Sequence, residues 1–83
     1  MKSATAGSVE SNDCLISVSE LDHLEINITS IVDAFFHDQI YAVIANTLKE
    51  LNIKNIKVDC NDKGALDYTI KARLLTALER AGE

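Results

Sequence analysis

The sequence predicts a small α+β domain of order β-β-α-β-α: a three-stranded sheet with two helices packed on one face. Three observations predict it. Apolar residues alternate with polar ones near 14–18, 24–29 and 56–60, which is the period of a half-buried strand. They recur at helical spacing over 36–51 and 66–81. Each alternating run keeps a polar face, so the sheet needs cover on one side only. The 83 residues suffice for one domain, 1–83. A domain of this size buries roughly 60% of its unfolded surface and leaves little room for an enclosed active site.

Residues 1–10 (MKSATAGSVE) are small and polar and read as a flexible N-terminal arm. Cys14, Ile16 and Val18 share one face of the first strand, and Leu24, Ile26 and Ile28 one face of the second. The short link 19–23 between them favours an antiparallel hairpin. A helix follows, with Phe36, Ile40, Val43, Ile44, Thr47, Leu48 and Leu51 inward. Ser30–Asp33 resembles a capping box and Asp38 is a later candidate cap, so the start lies between 33 and 38. Asn52 is a C-terminal stop, because Asn tolerates the left-handed conformation. Ile56, Val58 and Cys60 face inward on the third strand, which a crossover would set parallel to the second. Asn61-Asp-Lys-Gly64 is turn chemistry. The last helix turns Leu66, Ile70, Leu74, Ala77, Leu78 and Ala81 inward, with Lys71, Arg73 and Arg80 around its exposed sides.

Composition excludes several function classes. Residues are 47% hydrophobic and 25% charged, too apolar for a disordered chain. The net charge of −5 argues against a nucleic-acid or anionic-membrane partner. No apolar run approaches the ~20 residues of a transmembrane helix. The first residues lack the apolar stretch of a secretory signal. The expected location is therefore the cytoplasm. Cys14 and Cys60 are too few for a disulfide scaffold and read as core thiols. With His23 and His37 they lack metal-site spacing, so no metal is expected. Phe35 and Phe36 read as core residues at the strand-to-helix junction.

Two stretches carry possible chemistry. Asp62-Lys-Gly-Ala-Leu-Asp67 is a strand-to-helix turn. It reads either as an anion site, with helix N–H groups and Lys63 nearby, or as a helix cap, and the local sequence favours the cap. Asp62 and Asp67 lack a third group that would divide acid and base roles. Ala6-Gly-Ser-Val-Glu-Ser-Asn-Asp13 is small, polar and unable to bury much apolar surface, so it should lie exposed. Within it Ser11 has no neighbouring histidine and no G-x-S-x-G elbow. It is a poor nucleophile and a good acceptor for a group added by another enzyme.

Those two segments, together with Ile70-Lys-Ala-Arg-Leu-Leu-Thr-Ala-Leu-Glu-Arg-Ala81, resemble the citrate lyase acyl carrier proteins, the gamma chains. That family has an A-G-[TS]-x-E-S-x-D segment near its N-terminus, then a D-K-G-A-L-D turn and an [IL]-x-A-R-L helix near its C-terminus. The resemblance spans essentially the whole chain, although 24–58 matches only in pattern and length. Asn12 stands where a small Gly or Ser is usual, and Tyr68 where Cys is common. Neither is the attachment residue. The carrier of malonate decarboxylase resembles the chain less closely at the turn.

The resemblance implies that Ser11 carries a phosphoribosyl-dephospho-CoA group, 2'-(5''-phosphoribosyl)-3'-dephospho-CoA, through a phosphodiester. The thiol of that group would hold acetyl and citryl thioesters. It implies citrate lyase alpha and beta subunits and an attaching transferase as partners, with no catalytic residue on this chain. Two other classes fit the bare sequence: an interaction module without a prosthetic group, and a small hydrolase that borrows a base for Ser11.

Overall fold

The computed structural model describes residues 3–30 and 33–82, the side chains of 33–35 excepted. Its elements are β1 (Ala4–Gly7), β2 (Cys14–Glu20), β3 (Glu25–Ser30), α1 (Asp33–Glu50), β4 (Ile56–Asp62) and α2 (Asp67–Arg80). They build a four-stranded mixed sheet in the order β1-β2-β4-β3. β1 and β2 pair antiparallel, as do β2 and β4, whereas β3 and β4 run parallel across α1. The predicted parallel crossover is thus present.

One sheet face and both helices close on a single core. Cys14, Ile16, Val18, Ile56, Val58 and Cys60 are buried from the sheet. Ile40, Ile44, Leu48, Ile70, Leu74, Ala77 and Leu78 are buried from the helices. α2 lies against β1 and β2, α1 lies against β3, and the helices touch each other. Asn52 ends α1 with φ 56°, as its tolerance of the left-handed region predicts.

Three expectations are corrected. The sheet has four strands, because residues 4–7, read as part of a mobile arm, pair with β2 from Ala4↔Val18 to Gly7↔Leu15. Ala4, Ala6 and Gly7 have no strong apolar signal, and backbone pairing supplies what side chains lack. The 14–18 and 24–29 runs do not form a hairpin, because β4 lies between β2 and β3. Four linking residues reach roughly 13 Å, and passing one strand takes about 10 Å. The short link therefore did not force pairing. β4 takes the central place because its inward residues are almost wholly buried, whereas Ile26 and Ile28 of edge strand β3 are half-buried. α1 begins at Asp33, the earlier end of the expected range. Finally, Leu24, Phe36, Leu51 and Leu66 are exposed and not core residues. Phe35 lies outside the residues whose side chains are described.

Gly7 fixes the turn out of β1. It has φ 97°, and a Cβ there would stand 1.9 Å from the Cys14 carbonyl oxygen. Gly7→Ala should cost about 2 kcal/mol and lower Tm by roughly 10 °C, measured by thermal melting.

Cys14 and Cys60 are free and buried, as predicted. A hydrogen bond with Cys14, followed by burial, pushes the Cys60 thiol above its ordinary pKa. Little Cys60 thiolate forms near neutral pH, and Cys14 is shielded by complete burial. Alkylation of both thiols should be slow in the native protein and fast in denaturant; rapid native labelling would show that the core opens.

Candidate functional site: the Ser11 loop

The β1–β2 connection is the six-residue loop 8–13, and Asp13 organises it. Asp13 ends the loop beside Cys14, the first buried residue of β2. Its Oδ1 accepts from the Cys14 N–H at 2.7 Å and from Arg73 Nε at 3.0 Å. Its Oδ2 accepts from Ser8 Oγ at 2.8 Å and from the terminal Arg73 nitrogen Nη2 at 3.1 Å. The Arg73 fork is bidentate, the geometry that fixes a carboxylate in orientation as well as distance. These donors, Arg73 first and then the Cys14 N–H and Ser8, hold the Asp13 pKa down at about 2. Arg73 sits in the second turn of α2, so the loop is tied to the helix packed across β1 and β2.

A second tie is made by backbone alone. The Asn12 N–H donates to the Lys63 carbonyl at 2.8 Å, and the Lys63 N–H donates to the Asp13 carbonyl at 2.9 Å. This extends the β2–β4 ladder one step past the Cys14↔Asp62 pair. Asn12 accepts the bend with φ 64°. The Ser11 loop and the 62–67 turn therefore lie side by side at one end of the sheet.

The turn can be read residue by residue. Asp62 continues the inward period of β4 and is buried; its carboxylate accepts from Ser30 Oγ at 2.8 Å and from the Ala65 N–H at 2.9 Å. Both oxygens of this buried acid are thus partnered. Gly64 supplies φ 92°. The expected side-chain cap on α2 is not formed: Leu66 is the N-cap residue and makes no side-chain cap bond. Asp62 closes the turn ahead of the helix instead. Asp67 is exposed and takes both of its bonds from the Gln39 amide, at 3.0 and 3.1 Å. The two acids do separate structural work and form no acid–base pair.

Ser11 is exposed. Among the described residues its hydroxyl enters no hydrogen bond, whereas Ser8 Oγ is committed to Asp13 and accepts from the Glu10 N–H at 3.3 Å. One loop serine is structural and the other is free. His23 lies beyond the far end of β2, roughly 20 Å along the strand, and is bonded to Asp22 at 2.7 Å. His37 faces Asp38 at 3.6 Å. Neither is hydrogen-bonded to Ser11. No cluster of His, Cys, Asp and Glu among the described residues could hold a metal ion, and no described helix is long and apolar enough to cross a membrane.

Sequence reasoning missed Arg73, which it placed on an exposed side of α2. The available signal was pairwise: Asp13 and Arg73 belong to two separate motifs, and the structure joins them.

Comparisons with known proteins place the whole chain. Residues 1–81 match the acyl carrier family model described as malonate decarboxylase delta subunit (MdcD). A citrate lyase acyl carrier protein of Lacticaseibacillus casei is 48% identical, over 96% of this chain and 80% of the relative. One from Treponema denticola is 44% identical, over 99% of this chain and 94% of the relative. The chain belongs to the citrate lyase acyl carrier protein family. A citrate lyase acyl carrier protein of Halothermothrix orenii is 41% identical over 99% of this chain and 88% of its own. The fold recurs in a chain of a Pseudomonas malonate decarboxylase hetero-tetramer in complex with malonate. That chain superposes with a TM-score of 0.69 at 17% identity, over 98% of this chain and 84% of that one. The segments 6–13, 62–67 and 70–81, on which the sequence resemblance rests, meet at the Ser11 loop.

Asp13 gives the loop a pH signature. Its folded pKa is depressed, so its contribution to stability is present above the unfolded value and lost as pH falls through about 2. Asp13→Asn should melt below the wild type near neutral pH. The gap should narrow below about pH 3.9 and close near pH 2, followed by melting temperature across an acid series.

Proposed function

We propose that this chain is the acyl carrier subunit of a citrate lyase, with Ser11 Oγ as the site of covalent phosphodiester attachment. The observation that carries the reading is the division of labour in the loop: Ser8 is tied to Asp13, and Ser11 stands exposed with an uncommitted hydroxyl. The residues fit the implied group, 2'-(5''-phosphoribosyl)-3'-dephospho-CoA. Its acceptor needs an accessible hydroxyl and no base of its own, because the attaching transferase supplies the chemistry. When bound, the group supplies a terminal thiol that holds acetyl or citryl as a thioester.

The chain's own residues do the presenting. Asp13 and Arg73 hold the loop on α2, and the Asn12–Lys63 backbone bonds hold it on the 62–67 turn. An anchored loop keeps the tether point fixed relative to the docked domain. Tethering then raises the effective concentration of the thioester at each partner active site. Those partners are the alpha subunit, which exchanges acetyl for citryl, and the beta subunit, which cleaves the citryl carrier to oxaloacetate and acetyl carrier. The chain is a non-catalytic cytoplasmic component of that assembly. Its net charge of −5 suits docking on basic partner surfaces.

Intact mass of the protein purified from its native host tests the reading: a large adduct that peptide mapping places on Ser11 supports it, and an unmodified chain in an active complex contradicts it. Ser11→Ala should prevent label incorporation by the transferase and change stability by no more than about 0.5 kcal/mol. Ser8→Ala should still take the label but lose about 1 kcal/mol with its hydrogen bond to Asp13.

Lys63 joins the Ser11 loop through its main chain, at Asn12 and Asp13, so its side chain can be changed without touching the two backbone bonds. A lysine and a helix start beside the loop favour a phosphate there by electrostatics. Lys63→Glu should slow attachment or acyl transfer with little change in Tm; an unchanged rate would leave the turn a purely structural element.

A further inference from the structure

A groove of about 540 Å³ opens beside the 62–67 turn, between the start of α1 and the start of α2. Ile40 is buried beneath it, while Phe36, Leu66 and Tyr68 stand 46%, 59% and 72% exposed around it. Large apolar side chains left open around a concavity mark a surface that something covers. The volume falls in the range of small-molecule sites. It is also continuous with the Ser11 loop. Gly64 lines the groove, and a Cβ on Gly64 would meet only Asn12 Oδ1, at 3.7 Å. The neighbouring Lys63 carbonyl is bonded to the Asn12 N–H at 2.8 Å. The groove thus begins within a residue or two of the attachment point, with a glycine in between.

The geometry points to an occupant that is already tethered: the neutral, pantetheine-like segment of the arm on Ser11. The chemistry of the walls selects that part. Asp62 and Asp67 both line the groove and repel phosphate and free carboxylate. Phe36, Leu66 and Tyr68 accept the hydrocarbon of the arm, and backbone groups of the turn are at hand for its two amides. The arm then has a resting place on the carrier between transfers, from which a partner active site withdraws it. This rests on the carrier reading of Ser11.

The test loads Ser11 using the transferase and confirms the adduct by intact mass and peptide mapping. The arm thiol is then labelled with a nitroxide maleimide, which the buried Cys14 and Cys60 do not compete for. Amide signals of Phe36, Gly64, Leu66 and Tyr68 should lose most of their intensity relative to the reduced label, while those of Leu51 and Ile53 keep theirs. The double variant Leu66→Asn/Tyr68→Ala alters two exposed side chains and should restore the groove signals with the adduct still in place. Broadening confined to 8–13, broadening equal at Leu51, or broadening unaltered in the variant would each overturn the inference. So would groove signals that change only when alpha and beta subunits are added, which would assign the surface to a partner. An absent adduct overturns the carrier reading and takes this inference with it; an adduct without groove broadening overturns the inference alone.

Discussion

The Asp13 carboxylate is the point at which three separated parts of the chain become one surface. Asp13 closes the β1–β2 loop, Arg73 reaches it from α2, and its own carbonyl receives the Lys63 N–H from the turn after β4. A six-residue polar loop has little apolar area with which to order itself, and ordering backbone costs on the order of 1 kcal/mol per residue. Hydrogen bonds to an ionised group are the stronger kind, and here several share one acceptor. Gly7 makes the arrangement possible, because any side chain there would strike the Cys14 carbonyl.

This architecture bears on the carrier reading of Ser11. Several polar groups near Ser11 are already engaged: Ser8 and Arg73 with Asp13, Asp62 with Ser30 and the Ala65 N–H, and Asp67 with Gln39. None of these named groups is hydrogen-bonded to Ser11. The free element is Ser11's hydroxyl, and an isolated exposed hydroxyl is reactive only when another protein activates it. Rigidity is spent on position, and the chemistry is left to the subunits that the family resemblance implies.

Much of the fold was legible where side-chain period and burial coincide. The alternation of Cys14, Ile16 and Val18 and that of Ile56, Val58 and Cys60 correspond to buried strand faces. The helical recurrence from Ile40 to Leu48 and from Ile70 to Leu78 does so as well. What was not legible lacked such a signal. Strand β1 consists of Ala, Thr, Ala and Gly and is held by its pairing with β2. The central place of β4 follows from competition for burial among strands, which a single strand's pattern does not express. Phe36 and Leu66 fit the helical period yet lie exposed, because they stand around the open groove between the starts of α1 and α2. At the site, Ser11 stood out by local chemistry and family pattern. Arg73 did not, because its partner lies 60 positions away in the sequence.

The central claim is that the Asp13–Arg73 pair holds the Ser11 loop onto the body of the protein. Native-state hydrogen exchange of the Asn12 and Lys63 amides, in wild type and in Arg73→Ala, tests it most directly, because those two N–H groups make the backbone bonds that the clamp protects. The account predicts that both exchange several-fold faster in the variant, while the Ser17 and Asp59 amides, in the middle of the β2–β4 ladder, keep their protection. Unchanged exchange at Asn12 and Lys63, or an equal acceleration at all four positions, would contradict it.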